Sequence, residues 1–523
     1  MKWRYPINRR DFLKLSGAAS LAMFGAPLWG ARNLAEAATG DVFEEFGTAY
    51  GETIVTLDWH ATTAFGNSIM NPYMWDFPNF RDAQTNELLP MATTGWEPKS
   101  DTVWRFHIRQ GIKFWNGNKL TAKSFAFTQN RMKAPGSSHA GMFKSVEKVV
   151  VVDDYTVDVF CKEPFPVYPA CMIYFPIYDE EYYGSNSQDY VTAQPMGSGP
   201  FIFKKWHRGI GVEMEVNKGY WMPSPPIKTL KYYGIQEAET RTASLLSGQT
   251  KIIYGVPIEH FDRIKKAGFR AEGVAGPRIF VLGMNHRIKP FDDVRVRKAC
   301  NYAVDNRKIM NVFMKGMGEV QNQPACSAIF GYNPNLPYYD IDLNKARSLM
   351  SAAGYPNGYP QTLTLETVPG IALNVMEICE AVGYDLKNIG LKIKVEPREN
   401  ADFRARRPAK TGDPNFGPLW AGSWSAATCD SAMYLPYLLG SAGVYSRNYD
   451  EEANKRIDKC NAIIDNDERL KELRALMAYF NEQCPFIWTH AQPNTYGMSN
   501  DHNFQARKDE MMDLRGLKKV KIG

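Results

Sequence analysis

The alternation of apolar and polar residues between Trp104 and Arg131 predicts a strand, a turn and a helix, in that order. Apolar residues take every second position over 104–108, which is the period of a half-buried strand. The dipeptide Asn116-Gly117 predicts a turn. Thr121 then offers a hydroxyl to cap a helix, and apolar residues follow it at helical spacing over 122–132. Nothing in this run is a catalytic motif.

Similar patterns predict regular structure along the rest of the chain. Strand pairs are predicted within 146–160 and for 201–206 with 212–217. Helices are predicted at 237–247, 294–313, 344–353, 377–388 and 452–483. Short strands at 363–366 and 391–395 flank one of these helices, and this strand–helix–strand order predicts an α/β fold. Gly/Pro-rich stretches at 195–200 and 276–277 predict breaks where the chain crosses between domains.

The first 37 residues have the pattern of an export signal of the twin-arginine type. Arg9-Arg10 precedes an apolar region that runs from Leu15 to about Trp29, and Ala35-Glu36-Ala37 is a cleavage site of the A-x-A type. We therefore expect a mature chain that begins near Ala38 in the periplasm, after export by the twin-arginine translocase. The alternative is an ordinary N-terminal helix. No cysteine lies at the cleavage site, so a lipid anchor is not expected.

Removing this segment changes the charge of the chain. The whole chain has 523 residues, with 62 basic and 56 acidic side chains. Residues 1–37 hold six basic and two acidic ones, which leaves 56 against 54 in the mature chain. Such a balance does not favour binding to nucleic acid. The length predicts two or three domains, and a hydrophobic share of 44% is ample for their cores.

The eight cysteines permit disulfides in an oxidising compartment but do not require them. Cys161 and Cys171 are the nearest pair in sequence, and no C-x-x-C motif occurs. The alternative is a set of buried thiols, which is common in large domains.

Enzyme signatures are absent from the sequence. It contains no phosphate-binding loop, no H-E-x-x-H and no G-x-S-x-G. The eight histidines do not show the spacing of metal ligands, and the pairs Asp153-Asp154 and Asp292-Asp293 are typical of turns. We therefore expect no catalytic residues, no metal and no cofactor.

Six short motifs, in order along the chain, resemble the family 5 extracellular solute-binding proteins. These are periplasmic receptors of ATP-driven importers for peptides, nickel, opines and some sugars. The six motifs lie at 104–131 (W-x-F-x-I-R-x-G-I-K-F), 196–201 (M-G-S-G-P-F), 217–221 (N-K-G-Y-W), 244–248 (S-L-L-S-G), 290–299 (P-F-D-D-V-R-V-R-K-A) and 346–358 (ending A-G-Y-P-N-G). Each motif alone is weak, but six in the family's order are specific.

The resemblance implies an α/β fold: a two-lobed periplasmic binding protein of type II, in the family 5 cluster. An additional α+β domain is inserted in lobe one. The implied boundaries are 1–37 for the signal; 38–75, 197–276 and 485–523 for lobe one; 76–196 for the additional domain; and 277–484 for lobe two.

The resemblance also implies where a ligand would bind. The family's first strand ends at the cleft, which here points to Trp59 and His60. The family presents an aromatic loop from lobe two, which here contains Trp420 and Trp424. The alternative for each tryptophan is ordinary core packing.

One departure from the family pattern bears on the ligand. In peptide-binding members an Asp three residues after the loop Trp pairs with the ligand's α-amino group; here that position is Ala427. Asp430 is the nearest substitute, and a buried ammonium without a counter-charge is costly. Arg406, in a basic stretch with Arg404 and Arg407, is a candidate partner for an anionic group, and a solvated basic loop is the alternative.

The sequence therefore predicts a receptor that closes two lobes around a polar organic solute: an oligosaccharide, an opine-like conjugate or a peptide. The expected partners are this solute and an inner-membrane ABC permease and ATPase, and a monomer is expected. A periplasmic redox or hydrolytic enzyme, and a sensing receptor of the same fold, are the alternatives.

Overall fold

Most of the strands belong to one large mixed sheet. The computed structural model describes residues 42–406, 416–426, 428–441, 443, 447 and 450–520. The strands, numbered in chain order, are β1 Phe43–Tyr50, β2 Asn79–Arg81, β3 Leu88–Pro90, β4 Thr93–Ser100, β5 Val103–Ile108, β6 Val146–Asp153, β7 Thr156–Cys161, β8 Phe201–His207, β9 Gly211–Val216, β10 Ile227–Gly234, β11 Ile252–Tyr254, β12 Arg270–Met284, β13 Glu319–Val320, β14 Thr362–Thr367, β15 Lys392–Pro397, β16 Leu419–Ser425, β17 Phe486–Ile487 and β18 His490–Met498.

Helices cover the sheet and connect its strands. The α-helices are Phe65–Met74, Ala122–Lys133, Tyr168–Cys171, Glu180–Ser185, Gln188–Ala193, Ala238–Leu246, Phe261–Lys266, Val294–Ala303, Asn306–Met314, Leu343–Ala352, Val375–Leu386, Asn400–Arg406, Ser431–Leu438, Glu451–Ala462 and Asn466–Gln483. Short 3-10 turns are Trp59–Ala61, Met172–Tyr174, Ile258–His260 and Lys387–Ile389.

The large sheet has two halves that share two long strands. Within the described residues it contains twelve strands, in the main order β15-β14-β16-β12-β18-β11-β1-β10-β9-β8. We call β1 with β8 to β11 the first half, and β14 to β16 the second half. Strand β12 pairs with β18 over its first part and with β16 over its last part, so β12 and β18 connect the halves.

The expected break at Gly276-Pro277 is wrong, because β12 runs through it. The pairing of β12 with β18 shifts register between Ala275 and Ile279, so the Gly/Pro pair forms a bulge instead of ending the strand. A Cβ on Gly276 would lie 2.3 Å from the Asn494 side chain, so the two strands need a glycine here.

The strand–helix–strand prediction in the second half is confirmed. Strand β14, the helix Val375–Leu386 and β15 follow one another, and the two strands pair in parallel with Leu365 opposite Val395. A strand, a helix and a second strand parallel to the first form an α/β unit.

A separate four-stranded sheet, in the order β4-β5-β7-β6, contains the predicted strand of the 104–131 run. The predicted helix is also confirmed as Ala122–Lys133, and Thr121 caps it. The Thr121 hydroxyl accepts from the Lys123 N–H at 3.2 Å, and the Ser124 hydroxyl accepts from the Thr121 N–H at 3.2 Å.

Two long predicted helices are each broken by an aspartate. The 294–313 stretch divides because Asp305 caps a new helix through the Lys308 N–H at 2.9 Å. The 452–483 stretch divides in the same way at Asp465, which accepts from the Glu468 N–H at 2.8 Å. Aspartate favours this capping position over a helix interior, and apolar periodicity alone does not reveal it.

The apolar core that matters for the site lies between the four-stranded sheet and the second half. It includes Phe106 of β5 and Phe125 of the helix Ala122–Lys133, Trp420 of β16 and Tyr434 of the helix Ser431–Leu438, and also Trp59. All eight cysteines are buried in the described part of the chain, and none forms a disulfide. In the described ranges, no helix is both long and apolar enough to cross a membrane.

Candidate ligand-binding site

Trp59 lies in a short turn that several polar contacts hold in place. Asp58 caps the 3-10 turn Trp59–Ala61 by accepting the His60 N–H at 3.1 Å. The Trp59 indole N–H donates to the Tyr174 carbonyl at 2.8 Å, and the ring centroid lies 4.5 Å from that of His139. Trp59 is therefore held in place by its neighbours, and it is only 2% exposed.

The 104–131 run contributes the anchor of this turn. Arg131, its last residue, forms an ion pair with Asp58, which is fully buried. Tyr178 donates its hydroxyl to Asp58 Oδ1 at 3.0 Å, and Gln188 donates to Oδ2 at 2.6 Å. The run that carries the family resemblance thus positions Trp59 without lying at the site itself.

His60 is half-buried beside Arg131. Burial lowers the pKa of His60, and the charge of Arg131 lowers it further. At neutral pH the ring is therefore uncharged and can both donate and accept a hydrogen bond.

Trp420 and Trp424 lie on β16 and differ in exposure. Trp420 is 1% exposed and meets Phe486 edge-on, with ring centroids 6.2 Å apart. Trp424 is half-buried, and its ring is nearly parallel to that of Tyr437 at 6.5 Å. Both pack in or against the apolar core that also contains Trp59. The three predicted tryptophans therefore border the same extended core, and Trp424 is the most accessible of them.

Asp430 lies apart from them in a buried ion pair. Its two carboxylate oxygens both accept from Arg469 Nη1 at 2.9 Å, and Oδ1 also accepts from the Ala432 N–H at 3.0 Å. Asp430 is 4% exposed. Its charge is thus compensated within the protein, and it caps the helix Ser431–Leu438.

Arg406 ends the helix Asn400–Arg406 and pairs with Glu366. Arg406 Nη1 lies 2.7 Å from Glu366 Oε2, and Arg398 Nε approaches the same oxygen at 3.2 Å. Arg404 donates to Asn400 within its own helix at 3.1 Å. Arg407 and Ala427 lie outside the described residues.

The structure adds a polar group that the sequence did not indicate. Arg278 of β12 and Ser425 of β16 lie opposite each other in the strand register. Glu510, from the C-terminal segment, joins them: Arg278 Nε lies 3.1 Å from Oε1, and the Ser425 hydroxyl donates to Oε2 at 2.6 Å. Ser425 directly follows Trp424, so the half-buried ring and the charged pair are neighbours.

Two tyrosines surround this charged pair. Burial is the main cause that raises the pKa of Tyr50 and of Tyr254, and the charge of Glu510 adds to it in both. Both hydroxyls are therefore protonated donors at neutral pH. The Tyr254 hydroxyl already donates to Asn494 Oδ1 at 3.2 Å.

A hairpin formed by β2 and β3 reaches across to the second half. Arg81 donates to the Thr428 carbonyl, and the Asn86 side chain donates to the Ala328 carbonyl at 2.7 Å. Arg507 of the C-terminal segment donates to the Arg81 carbonyl at 3.1 Å. We call residues 79–90 the clasp hairpin, because these contacts join it to three segments that are distant in sequence.

A cavity of about 610 Å³ lies beside the start of the helix Asn306–Met314 and residues 338–341. It contains none of the predicted residues. Across the described part of the chain, no group of three or more His, Cys, Asp or Glu side chains is placed to hold a metal ion.

Comparison with known proteins identifies the class of this molecule. The profile of the bacterial extracellular solute-binding proteins, family 5 Middle, matches residues 87–446. The chain belongs to this family.

Curated relatives and solved structures agree with the match. Heme-binding protein A of Haemophilus influenzae is 26% identical over 438 residues, 77% of this chain and 79% of its own. The glutathione-binding protein GsiB of Pectobacterium atrosepticum is 25% identical over 447 residues, 83% of this chain and 82% of its own. The structure of HbpA2 from Haemophilus parasuis superimposes with a TM-score of 0.80 at 24% identity, covering 91% of this chain and all of that one.

As a family 5 solute-binding protein, the chain is a periplasmic substrate receptor of the kind that serves ABC importers, and it is not an enzyme. The two-lobed α/β fold expected from the resemblance is confirmed by the likeness to the HbpA2 structure. Glu510 was missed by sequence reasoning because it comes from a distant segment with no periodicity. Its only sequence signal is a charged run, 507–510, and such runs are usually solvated.

Proposed function

We propose that this receptor captures a polar organic solute between the two halves of the large sheet and delivers it to an inner-membrane ABC permease and ATPase. The observation that carries the proposal is the Arg278–Glu510–Ser425 group beside Trp424. An aromatic face next to a few fixed polar groups is the usual lining of an organic-ligand site. The strands β12 and β16, which supply Arg278, Trp424 and Ser425, lie in the part of the sheet where the halves meet.

We assign the predicted residues to different roles in that cleft. Trp424 is the face on which the solute packs, and Trp59 with His60 forms the opposite wall. Trp420 supports Trp424 from the core, and Arg406 lies at the rim, where Glu366 leaves its guanidinium partly accessible. Asp430 holds the helix after the aromatic loop through Arg469 and does not meet the solute.

Closure is proposed to follow the division inferred from the sequence, with 38–75, 197–276 and 485–523 as lobe one, 76–196 as the additional domain and 277–484 as lobe two. The shared strands β12 and β18 would bend, and we assign the contacts that the clasp hairpin makes with Ala328 and Thr428 to the closed form. A solute that contacts both sides stabilises that form and shifts the population toward it.

The candidate solutes are an oligosaccharide, an opine-like conjugate and a peptide. Because Arg469 compensates Asp430, a peptide held by its α-amino group at that residue is disfavoured. Two relatives are named for heme and for glutathione, so both compounds belong in the search.

A thermal-shift screen tests the proposal. The panel contains dipeptides and tripeptides, glutathione, hemin, opines, oligosaccharides and nickel complexes. A solute at a hundred times its dissociation constant should stabilise the protein by about 2.7 kcal/mol. Glu510→Gln should weaken that binding, while Glu147→Gln, on the exposed face of β6, should not. If no member of the panel stabilises the protein, the proposal fails.

Export is a further part of the proposal. The twin-arginine translocase would carry the folded protein, and cleavage near Ala38 would release it as a monomer. Replacing Arg9 and Arg10 by Lys should leave the protein in the cytoplasm at its full precursor mass. A cleaved periplasmic protein from that variant would contradict this route.

A further inference from the structure

Arg81 of the clasp hairpin is a buried cation without a carboxylate partner. It is 8% exposed. Nη1 donates to the Asn86 carbonyl at 2.7 Å, and Nη2 donates to the Thr428 carbonyl. Nε has no hydrogen-bond partner among the described residues, and no carboxylate in those ranges lies within ion-pair distance of this guanidinium. Two carbonyl dipoles are thus its only direct partners there.

Two other arginines near it are paired, which sets Arg81 apart. Arg507 Nε lies 2.9 Å from Asp509 Oδ1, and Arg515 Nε lies 2.8 Å from Asp513 Oδ1. Each pair is formed within the C-terminal segment. Of the three guanidinium groups, Arg81 is therefore the one without a carboxylate paired to it, and a further buried carboxylate, Asp76, acts electrostatically on Arg515.

The three arginines and their two paired carboxylates line one small cavity. Its volume is about 40 Å³, and Met511 is among the apolar residues that complete its wall. By the same measure one water needs about 10–15 Å³, so the space fits a few waters or one carboxylate-sized group. The cavity lies between the clasp hairpin and the C-terminal segment, and Arg81 of its wall donates to the Thr428 carbonyl.

We propose that this cavity is an anion subsite, in which a carboxylate of the captured solute binds Arg81 Nε. The assignment rests on the proposed receptor function. A water could satisfy the N–H but would leave the buried charge uncompensated, and such a charge is costly. A carboxylate satisfies both through a charge-assisted hydrogen bond. It becomes enclosed when the clasp hairpin closes on Thr428. The solute is accordingly an organic acid with a terminal carboxylate.

The first test uses small probes and needs no knowledge of the solute. Thermal unfolding is followed while sodium formate, sodium pivalate or formamide is added at constant ionic strength. Formate is an anion small enough for the cavity. Pivalate is an anion that is too large for it, and formamide has the size of formate but no charge. Formate should raise the Tm saturably, and the other two should not. Equal effects of formate and pivalate, or of formate and formamide, would overturn the subsite.

Variants connect the effect to Arg81. Arg81→Gln should abolish the formate effect, and Arg81→Lys should weaken it at least tenfold because the Nε donor is lost. Arg105→Gln is the control, since Arg105 pairs with Asp158 in the separate four-stranded sheet. A formate effect that survives in Arg81→Gln overturns the assignment. The wild-type comparison of probes stands even if a variant folds poorly.

The last arm distinguishes a solute carboxylate from a free anion. Saturating formate should lower the affinity for the best binder of the thermal-shift panel at least tenfold. If formate binds but does not compete with that compound, the site takes free anions and the assignment to the solute is overturned. If a compound binds while formate has no effect, this inference fails and the receptor proposal stands. If formate binds and no compound does, the receptor proposal and the assignment to a solute fail, and an anion site remains.

Discussion

At the scale of single residues, the fixed position of Trp59 depends on one buried carboxylate. Asp58 receives the Arg131 guanidinium, the Tyr178 hydroxyl and the Gln188 amide, and its backbone neighbour His60 donates to it as well. Of these partners, Arg131, Tyr178 and Gln188 have no place in the proposed cleft, and only His60 belongs to its wall. The family-specific run from Trp104 to Arg131 is therefore structural, and its contribution to binding is indirect.

Replacing Asp58 by Asn should destabilise the protein by about 3 kcal/mol, because Arg131 would keep a nearly buried charge without a counter-charge. Urea unfolding followed by circular dichroism measures the change. Asp458→Asn, on the exposed face of the helix Glu451–Ala462, should change the free energy of unfolding by less than about 0.5 kcal/mol. A loss below about 1 kcal/mol for Asp58→Asn would mean that the pair does not anchor the turn.

At the scale of elements, sequence reasoning found what local pattern encodes. The strand and capped helix of the 104–131 run depend on alternation and on Thr121, and both were predicted. The breaks at Asp305 and Asp465 depend on side-chain capping that competes with apolar periodicity, so two helices were predicted as one. Glu510 meets Arg278 only because a C-terminal segment returns to β12, and no spacing in the sequence reports that distance.

The long strand β18 carries a histidine that links stability to pH. His490 is fully buried, stacks on Phe280 with ring centroids 5.4 Å apart, and finds no hydrogen-bond partner for either ring nitrogen in the described ranges. Burial lowers its pKa to about 4, below the value near 6.5 of the unfolded chain. As the pH falls, the unfolded state therefore takes up the proton first, and stability is lost between pH 6.5 and 4.

His490→Phe should remove this contribution. Between pH 7.5 and pH 5 the wild type should lose about 2 kcal/mol more than the variant. Chemical unfolding at the two pH values measures the difference, and only the change with pH matters, so an altered starting stability does not affect the result. His107→Phe, exposed on β5, should keep the wild-type pH dependence. Equal losses in wild type and His490→Phe would contradict the account.

At the scale of the whole molecule, one sheet contains strands of both halves, and the proposed cleft lies where the halves meet. The two-lobed fold was predicted from the resemblance, and the comparisons confirm it. The candidate site residues remain a prediction: the three tryptophans border one extended core, Asp430 is paired with Arg469, and the Arg278–Glu510 pair had no signal in the sequence. The residues that line a cleft come from segments distant in sequence, and only folding brings them close together.

The central claim is that a solute draws the halves together around this cleft. That motion is followed with a donor and an acceptor dye on two new cysteines. Glu87→Cys is on the clasp hairpin, and Ser348→Cys is on the helix Leu343–Ala352; both positions are exposed. The eight native cysteines are buried, and burial raises the pKa of Cys161 to about 12 and of Cys460 to about 11, so the two new thiols should label selectively. Single-molecule energy transfer is then measured with and without the best compound of the panel. We expect binding to move the population to higher transfer efficiency and Glu510→Gln to weaken that shift; a bound compound that leaves the distribution unchanged would contradict the account.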